Sequence, residues 1–254
     1  MADGARDDPR PLAAKRVIVT GASRGIGRAI TIACAEGGAL VGINFHRGEE
    51  EARDVAGLIG AQAMLLRFDV GDAAAVSAAF EAFERQAGGL DALVNNAGII
   101  RPSLLASMSD ADVDEVVRTN LFGTIFCTRA AIRPMIRQRS GVLLNVSSVA
   151  AERPVRGQSV YAATKGAIEA FTRAIAVEYG RKGIRSHCIR PGPVDTDMMA
   201  ATKALAGDEI LQRVPLKRFV TSEDVAGLAV FLLSDRGRAI TAGTYTIDGG
   251  FVAG

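Results

Sequence analysis

Tyr161 and Lys165 stand four residues apart in the stretch SVYAATKGAI (159–168), with only Ala162, Ala163 and Thr164 between them. On a helix, positions i and i+4 share a face. An ammonium held near a phenol favours the phenolate and lowers the tyrosine pKa from its reference of about 10. A tyrosine tuned in this way can exchange protons near neutral pH. The same spacing also fits an amphipathic helix with one exposed lysine, and i, i+4 pairs are common. The pair alone leaves both readings open.

A second cluster lies near the start, in VTGASRGIGRAI (19–30), with glycines at Gly21, Gly25 and Gly27. The spacing is not the GxGxxG of the usual dinucleotide fingerprint, but the physical logic carries over. Gly21 can turn the chain off a strand, Gly25 can let backbone approach a pyrophosphate, and Gly27 can let the following helix pack closely on a sheet. A helix that begins here offers free N–H groups and a positive dipole end to phosphate. A carboxylate after the second strand would suit the 2′-hydroxyl of NAD, and arginine the 2′-phosphate of NADP. The chain reads INFHRGEEEA there, with no acid before Glu49. Arg24 and Arg47 fall near the expected phosphate, so NADP(H) is expected as the preferred cofactor and NAD(H) as the alternative. Glu49, Glu50 and Glu51 complement the dipole at the start of the next helix.

Short apolar runs alternating with helical patterns must position these groups. RVIVT (16–20), LVGIN (40–44), AMLLRF (63–68), DALVN (91–95), GVLLNV (141–146), IRSHCIR (184–190) and TYTI (244–247) read as strands. Helical patterns cover 25–36, a segment beginning in GEEEA, 72–86, 110–138 as two helices or one that bends, 159–179, and 222–234, and 191–220 is rich in loops. Strands alternating with helices predict βαβ units, hence one doubly wound parallel sheet of about seven strands with helices on both faces. Residues 1–14 read as a flexible tail and 15–254 as a single catalytic domain, with no internal repeat.

Composition removes other classes. A net charge of +2 and the absence of tryptophan argue against nucleic-acid and anionic-membrane partners. No apolar run reaches the length of a membrane span, and the charged start MADGARDDPRPLAAK is not a signal peptide. Cys34, Cys127 and Cys188 are scattered, which suggests reduced, buried thiols and a cytoplasmic protein. His46 and His187 are the only histidines, so no metal site is expected.

With TGASRGIG, NNAG (95–98) and YAATK (161–165) in one chain and in this order, the sequence resembles the short-chain dehydrogenase/reductase family, from about Lys15 to Gly250. The resemblance makes Tyr161 the general acid–base and Lys165 the residue that holds the nicotinamide ribose and lowers the tyrosine pKa. It makes Ser148, thirteen residues before Tyr161, the donor to the substrate oxygen, with Ser147 as the neighbouring alternative. Asn120 in RTNLFG matches the asparagine that keeps a proton-relay water in place. Around the cofactor it implies Gly21, Ser23, Arg24, Gly25, Ile26 and Gly27 in the first loop, and Phe45 and Arg47 after the second strand. Phe45 stands where NAD-preferring relatives carry aspartate. Asp69 with Val70 then lies at the adenine, and Asn96, Ala97 and Gly98 pass the adenosine ribose. Pro191, Gly192, Val194 and Thr196 form the nicotinamide clamp.

Within the family the chain is most like the 3-oxoacyl-[acyl-carrier-protein] reductases. That likeness implies reduction of a 3-oxoacyl thioester, a homotetramer, and an acyl carrier protein met by Arg139 and Lys182 near the mouth of the site. A sugar, polyol or other secondary-alcohol dehydrogenase is the alternative. Two departures concern the substrate side. LKRFV (216–220) stands where the family usually has a glycine after the proline-leucine, and AAERPVRGQS (150–159) brings Arg153 and Arg156 beside the site.

Overall fold

A computed structural model describes residues 10–196, 199 and 207–253. The apolar runs become seven strands, β1 (Arg16–Val19), β2 (Leu40–Phe45), β3 (Ala63–Arg67), β4 (Ala92–Asn95), β5 (Gly141–Val146), β6 (Ile184–Pro191) and β7 (Thr244–Ile247). They form one sheet in the order β3-β2-β1-β4-β5-β6-β7, parallel throughout. The near-continuous apolar character of β1, β2, β4 and β5 follows from burial on both faces.

Helices α1 (Gly25–Glu36), α2 (Glu49–Ile59), α3 (Ala73–Ala87), α4 (Asp110–Val117), α5 (Gly123–Gln138), α6 (Ser159–Tyr179) and α7 (Ser222–Leu233) cover the sheet. Two large cores result. One sets α1, α2 and α7 against Val17, Val19, Val41 and Ile43. The other sets α3, α5 and α6 against Ile18, Leu93 and Leu143. The strand order reverses between β1 and β4, which opens the crevice at their carboxyl ends where ligands of such sheets bind.

The helix expected over 110–138 is broken by one wide turn, a π-helical segment over Arg118–Phe122 that contains Asn120. Single π turns inside helices recur at functional sites. The tail expected over 1–14 is shorter in its described part. Residues 1–9 lie outside the described residues, but Leu12 is fully buried and its N–H donates to the Gly37 carbonyl at 2.8 Å. Folding therefore extends at least five residues ahead of Lys15, to Arg10. Cys34, Cys127 and Cys188 are buried free thiols, and burial pushes Cys34 up to about 12. No described helix is long and apolar enough to cross a membrane.

Candidate active site

The first βα turn is built around its glycines. Gly21 takes φ +60°, and a β-carbon there would lie 3.0 Å from the Ala97 Cα. A β-carbon on Gly27 would come within 2.2 Å of the Gly21 carbonyl, so helix and loop touch backbone to backbone. Thr20 and Asn96 lock this loop to the one after β4. The Thr20 hydroxyl accepts from the N–H groups of Asn96 and Ala97, each at 3.0 Å, and Asn96 Nδ2 donates to the carbonyls of Thr20 (2.9 Å) and Gly21 (3.0 Å). Asn44, buried in β2, accepts from the Gly21 N–H at 3.1 Å and donates to the Phe68 carbonyl at 3.0 Å. Sequence reasoning passed over Thr20 and Asn44. Their signal is a polar residue inside or ending an apolar strand, which is costly to bury unless it is hydrogen-bonded.

Helix α1 starts without a side-chain cap and without an acid in its first turn. Helix α6 also begins uncapped, whereas Asp72 caps α3, Ser109 caps α4 and Thr221 caps α7, and α2 carries Glu49, Glu50 and Glu51 in its first turn. The open N–H groups of α1 thus suit a bound anion. Arg24 is the exposed N-cap residue of α1 and Arg47 is exposed just beyond β2. The first acid after β2, Glu49, is held by Arg53 at 2.7 Å and by Arg67 at 3.2 Å, and Asp69 stands 3.7 Å from His46. These features fit a dinucleotide with its pyrophosphate on α1.

The groups that could do chemistry converge at the carboxyl ends of β4 and β5. Lys165 is 4% exposed, which removes the reading of an exposed lysine on an amphipathic helix. Its ammonium donates to the Val146 carbonyl at 2.8 Å and lies 5.6 Å from the centre of the Tyr161 ring. Ser147 and Ser148 point in different directions. The Ser147 hydroxyl is buried and donates to Glu169 (2.9 Å) and to the Lys165 carbonyl (3.2 Å). Ser148 stays partly open and accepts the Ala150 N–H at 3.2 Å. Ser148 is therefore the serine left for a substrate.

Asn120 is fully buried. Its side chain accepts from the Ile99 N–H at 2.8 Å and donates to the Ile99 carbonyl at 3.0 Å and to Thr164 at 3.2 Å. Those bonds tie the π turn to the loop after β4 and to α6. What Asn120 can offer a water is its carbonyl, on which the Thr124 hydroxyl also sits at 2.7 Å.

The electrostatics correct one expectation. Burial lowers Lys165 to about 8, because an ammonium is costly away from water. Burial also raises Tyr161 above its ordinary value, with the Ser148 hydroxyl pulling it back, and Lys165 does not bring it down. The Lys165 ammonium is turned to the Val146 carbonyl at 2.8 Å. In the protein alone Tyr161 is a neutral phenol, which suits it to donate a proton rather than to accept one.

Comparison with known proteins follows this geometry. The family profile described as "Enoyl-(Acyl carrier protein) reductase" matches residues 21–252. The chain is 42% identical over 239 residues to the 3-oxoacyl-[acyl-carrier-protein] reductase of Chlamydia muridarum, covering 93% of this chain and 96% of that protein. It is 38% identical to the enzyme of the same name from Staphylococcus aureus, covering 93% and 97%. The chain belongs to the short-chain dehydrogenase/reductase family. It is an NAD(P)-dependent oxidoreductase most like the 3-oxoacyl-[acyl-carrier-protein] reductases. Among solved structures it superposes on a gluconate 5-dehydrogenase from Burkholderia cenocepacia, described in complex with NADP and tartrate, with a TM-score of 0.91, 33% identity, and 97% and 98% coverage. A short-chain dehydrogenase from the same organism, in complex with NADP, gives 0.88, 35%, 95% and 99%.

In this short-chain dehydrogenase/reductase the remaining expected positions separate clearly. Asp69, at the end of β3, accepts the Gly71 N–H at 2.8 Å, and Val70 is buried against Gly123. Gly98 lies between the Asn120 amide and the Lys165 ammonium. Ser23 and Ile26 are partly exposed in the glycine loop. On the far side, a β-carbon on Gly192 would meet Asp248 at 2.6 Å, Val194 is buried beside Val220, and the Thr196 methyl approaches Gly25. Of these four, Thr196 meets the glycine loop, while Pro191, Gly192 and Val194 pack on Ile247, Asp248 and Val220.

Two placements differ from expectation. Phe45 is 4% exposed and belongs to the core with Val41 and Ile43, so its side chain is turned away from a cofactor. Position 46 or 47 is the first that could meet a ribose phosphate. Arg139 and Lys182 are exposed, but they precede β5 and β6 and lie at the amino edge of the sheet. Six-residue β5 separates that edge from Ser148 by about 20 Å, at about 3.3 Å per residue. Within one protomer they are not at the mouth of the site. Of the substrate-side arginines, Arg153 donates to the Phe251 carbonyl at 2.8 Å, and Arg156 is exposed.

Proposed function

We propose that the protein reduces the 3-oxo group of an acyl thioester, delivered by an acyl carrier protein, to the 3-hydroxy group with NADPH. The observation that carries this reading is the division of the two serines. Ser147 is turned into the protein, and Ser148 is left beside the Tyr161 phenol with buried Lys165 behind it. Bound at α1, the nicotinamide cofactor supplies the hydride. Charge then develops on the carbonyl oxygen, where Ser148 and Tyr161 donate hydrogen bonds and Tyr161 delivers the proton. Lys165 holds the cofactor ribose. Asn120 keeps a water on the path that returns a proton to Tyr161.

Relatives at 36–42% identity carry the name of a 3-oxoacyl reductase, a narrower likeness than the family description of enoyl reduction. The NADPH preference is supported by Arg24, Arg47 and the missing acid after β2. A homotetramer is part of the same reading, and the exposed Phe122 and Phe231 offer surface for it. Likeness to a gluconate 5-dehydrogenase favours a second reading, a sugar-acid or polyol dehydrogenase.

The test is a turnover panel of acetoacetyl-CoA, an acetoacetyl carrier protein, gluconate and simple polyols, each with NADPH or NADP⁺ and NADH or NAD⁺. The proposal expects the carrier-bound 3-oxoacyl thioester with NADPH to give the highest kcat/KM. Gluconate or a polyol turning over faster than either thioester would overturn it.

A further inference from the structure

A third, small apolar cluster stands apart from the two main cores, and it contains the residue next to Ser148. Val149, Val214 and Phe251 are its buried members, at 8%, 1% and 8% exposure. They come from three separate segments, which are the turn after β5, the arm that leads towards α7, and the C-terminal tail. Val149 opens the short turn Val149–Ala151, whose N-cap is Ser148. That turn is closed by the Arg153 N–H on the Val149 carbonyl at 2.7 Å. The Arg153 guanidinium then reaches the tail, donating to the Phe251 carbonyl at 2.8 Å and lying 5.5 Å over the Phe251 ring. The tail is itself tightly wound, since the buried Asp248 carboxylate accepts the N–H groups of Gly250 and Val252, each at 2.8 Å.

We infer that Phe251 is a positioning residue for Ser148, with the C-terminal tail acting as a wedge that fixes the turn carrying that hydroxyl. Ser148 has an extended backbone, its Oγ accepts the Ala150 N–H within its own turn, and its hydroxyl meets the Tyr161 phenol of α6. The Ser147 N–H on the Ile189 carbonyl at 2.8 Å ties the start of the turn to β6, and its far side is held by Val149 packed on Phe251 and by Arg153 gripping the tail. Loss of the Phe251 ring leaves a cavity under Val149, and neighbouring structure relaxes only partly around such cavities. A displacement of about 1 Å in a positioning group can cost up to about 10²-fold in rate. The glycine loop and α1 share no residue with this cluster, whereas Asp248, which winds the tail, packs on Gly192, so the NADPH Kd reads whether the effect stays on the Ser148 side.

The inference rests on the reading of Ser148 as the donor to the substrate oxygen, and the experiment separates the two. Single-turnover oxidation of bound NADPH by acetoacetyl-CoA, followed by nicotinamide absorbance, gives a rate constant for the step and an amplitude for the active fraction. Phe251→Ala is expected to lower the rate constant about tenfold, leaving the amplitude and the NADPH Kd within about twofold. Phe251→Leu should stay within about threefold of wild type. An unchanged rate constant in Phe251→Ala, or a loss confined to the amplitude, overturns the wedge while leaving the function standing. A wild type that does not oxidise NADPH with acetoacetyl-CoA, free or carrier-bound, overturns the functional reading and the wedge with it. If Phe251→Ala does not fold, Arg153→Met keeps the ring and removes the grip. It is then expected to slow the step about threefold, and an unchanged rate constant there overturns the inference.

Discussion

Two polar clusters at opposite edges of the sheet, Arg16 with Asp91 and the groups around Lys165, are satisfied in opposite ways. At the amino edge, Arg16 and Asp91 form a two-pronged ion pair, with Nε–Oδ2 at 2.7 Å and Nη2–Oδ1 at 2.9 Å, and Gln138 adds a further bond to Arg16. Burial there would raise the Asp91 carboxyl, but the Arg16 bonds and charge hold it below its usual range. At the carboxyl edge, Lys165 is buried with a carbonyl for its partner and no carboxylate. Helix α1 begins there without a cap, and Gly21 holds a positive φ against the neighbouring loop. The Arg16–Asp91 cluster satisfies its charges internally and so contributes stability, as the Arg190–Glu169 pair at 2.7 Å does beside the site. The cluster around Lys165 leaves cation, open N–H groups and hydroxyls for something not part of the chain, at a cost to the fold. Strain and unbalanced polarity of this kind concentrate where function sits.

Paired substitutions sharpen that contrast. Lys165→Met should lower turnover by at least about 10²-fold. It should nonetheless raise Tm at neutral pH, with a net gain of about 1–2 kcal/mol after the lost bond to Val146 is deducted. The sign follows from the lowered folded pKa of about 8. Between that pH and the ordinary lysine value the unfolded chain binds more protons, so wild-type stability rises with pH across this window. The variant's advantage should therefore shrink there, as thermal melts across pH would read. A Lys165→Met protein less stable than wild type at pH 7 would break the contrast. Asp91→Asn should do the reverse, costing about 1–3 kcal/mol of stability and leaving kcat of the folded enzyme unchanged. Its effect should fade as pH falls through the depressed carboxyl pKa, where wild type loses the same interaction.

Smaller effects belong to the cofactor rim. Arg24→Ala with Arg47→Asp should shift the ratio of NADPH to NADH kcat/KM by about tenfold towards NADH, because both side chains are exposed and partly screened. The shift should narrow with added salt. Phe45→Asp cannot serve as this test, since it would bury a charge in the core. The smallest expected effect is at Lys217, where the sequence departs from the family's usual glycine. Lys217 holds φ +52°, a left-handed conformation that glycine adopts without strain. Lys217→Gly should change stability by no more than about 1 kcal/mol, in the favourable direction, as thermal melts would show.

The elements were legible because burial on both sheet faces writes each strand as a short apolar run and each helix as a 3.6-residue pattern. The ends of β3, β4 and β6 moved by only a residue, the scale on which helix and strand ends fray. The Tyr161–Lys165 pair was visible as a spacing, but its protonation was not, since desolvation depends on what surrounds the pair in three dimensions. The wide turn at Arg118–Phe122 left no mark, because RTNLF carries no residue that a regular helix would refuse. Phe45 was misplaced although its signal was present. It lies in phase with Val41 and Ile43, two residues apart along β2, and so shares their buried face. Arg139 and Lys182 were misplaced for a topological reason. In a parallel sheet each helix returns the chain to the amino edge, so residues just before a strand start cannot line the carboxyl-edge site of the same protomer.

The most direct test compares wild type with Tyr161→Phe in the reduction of a 3-oxoacyl thioester by NADPH, with the NADPH Kd measured on the same preparations. The account predicts that the variant binds NADPH within about twofold of wild type and turns over at least about 10²-fold more slowly, because only the proton donor is gone. Turnover by Tyr161→Phe at the wild-type rate would contradict it.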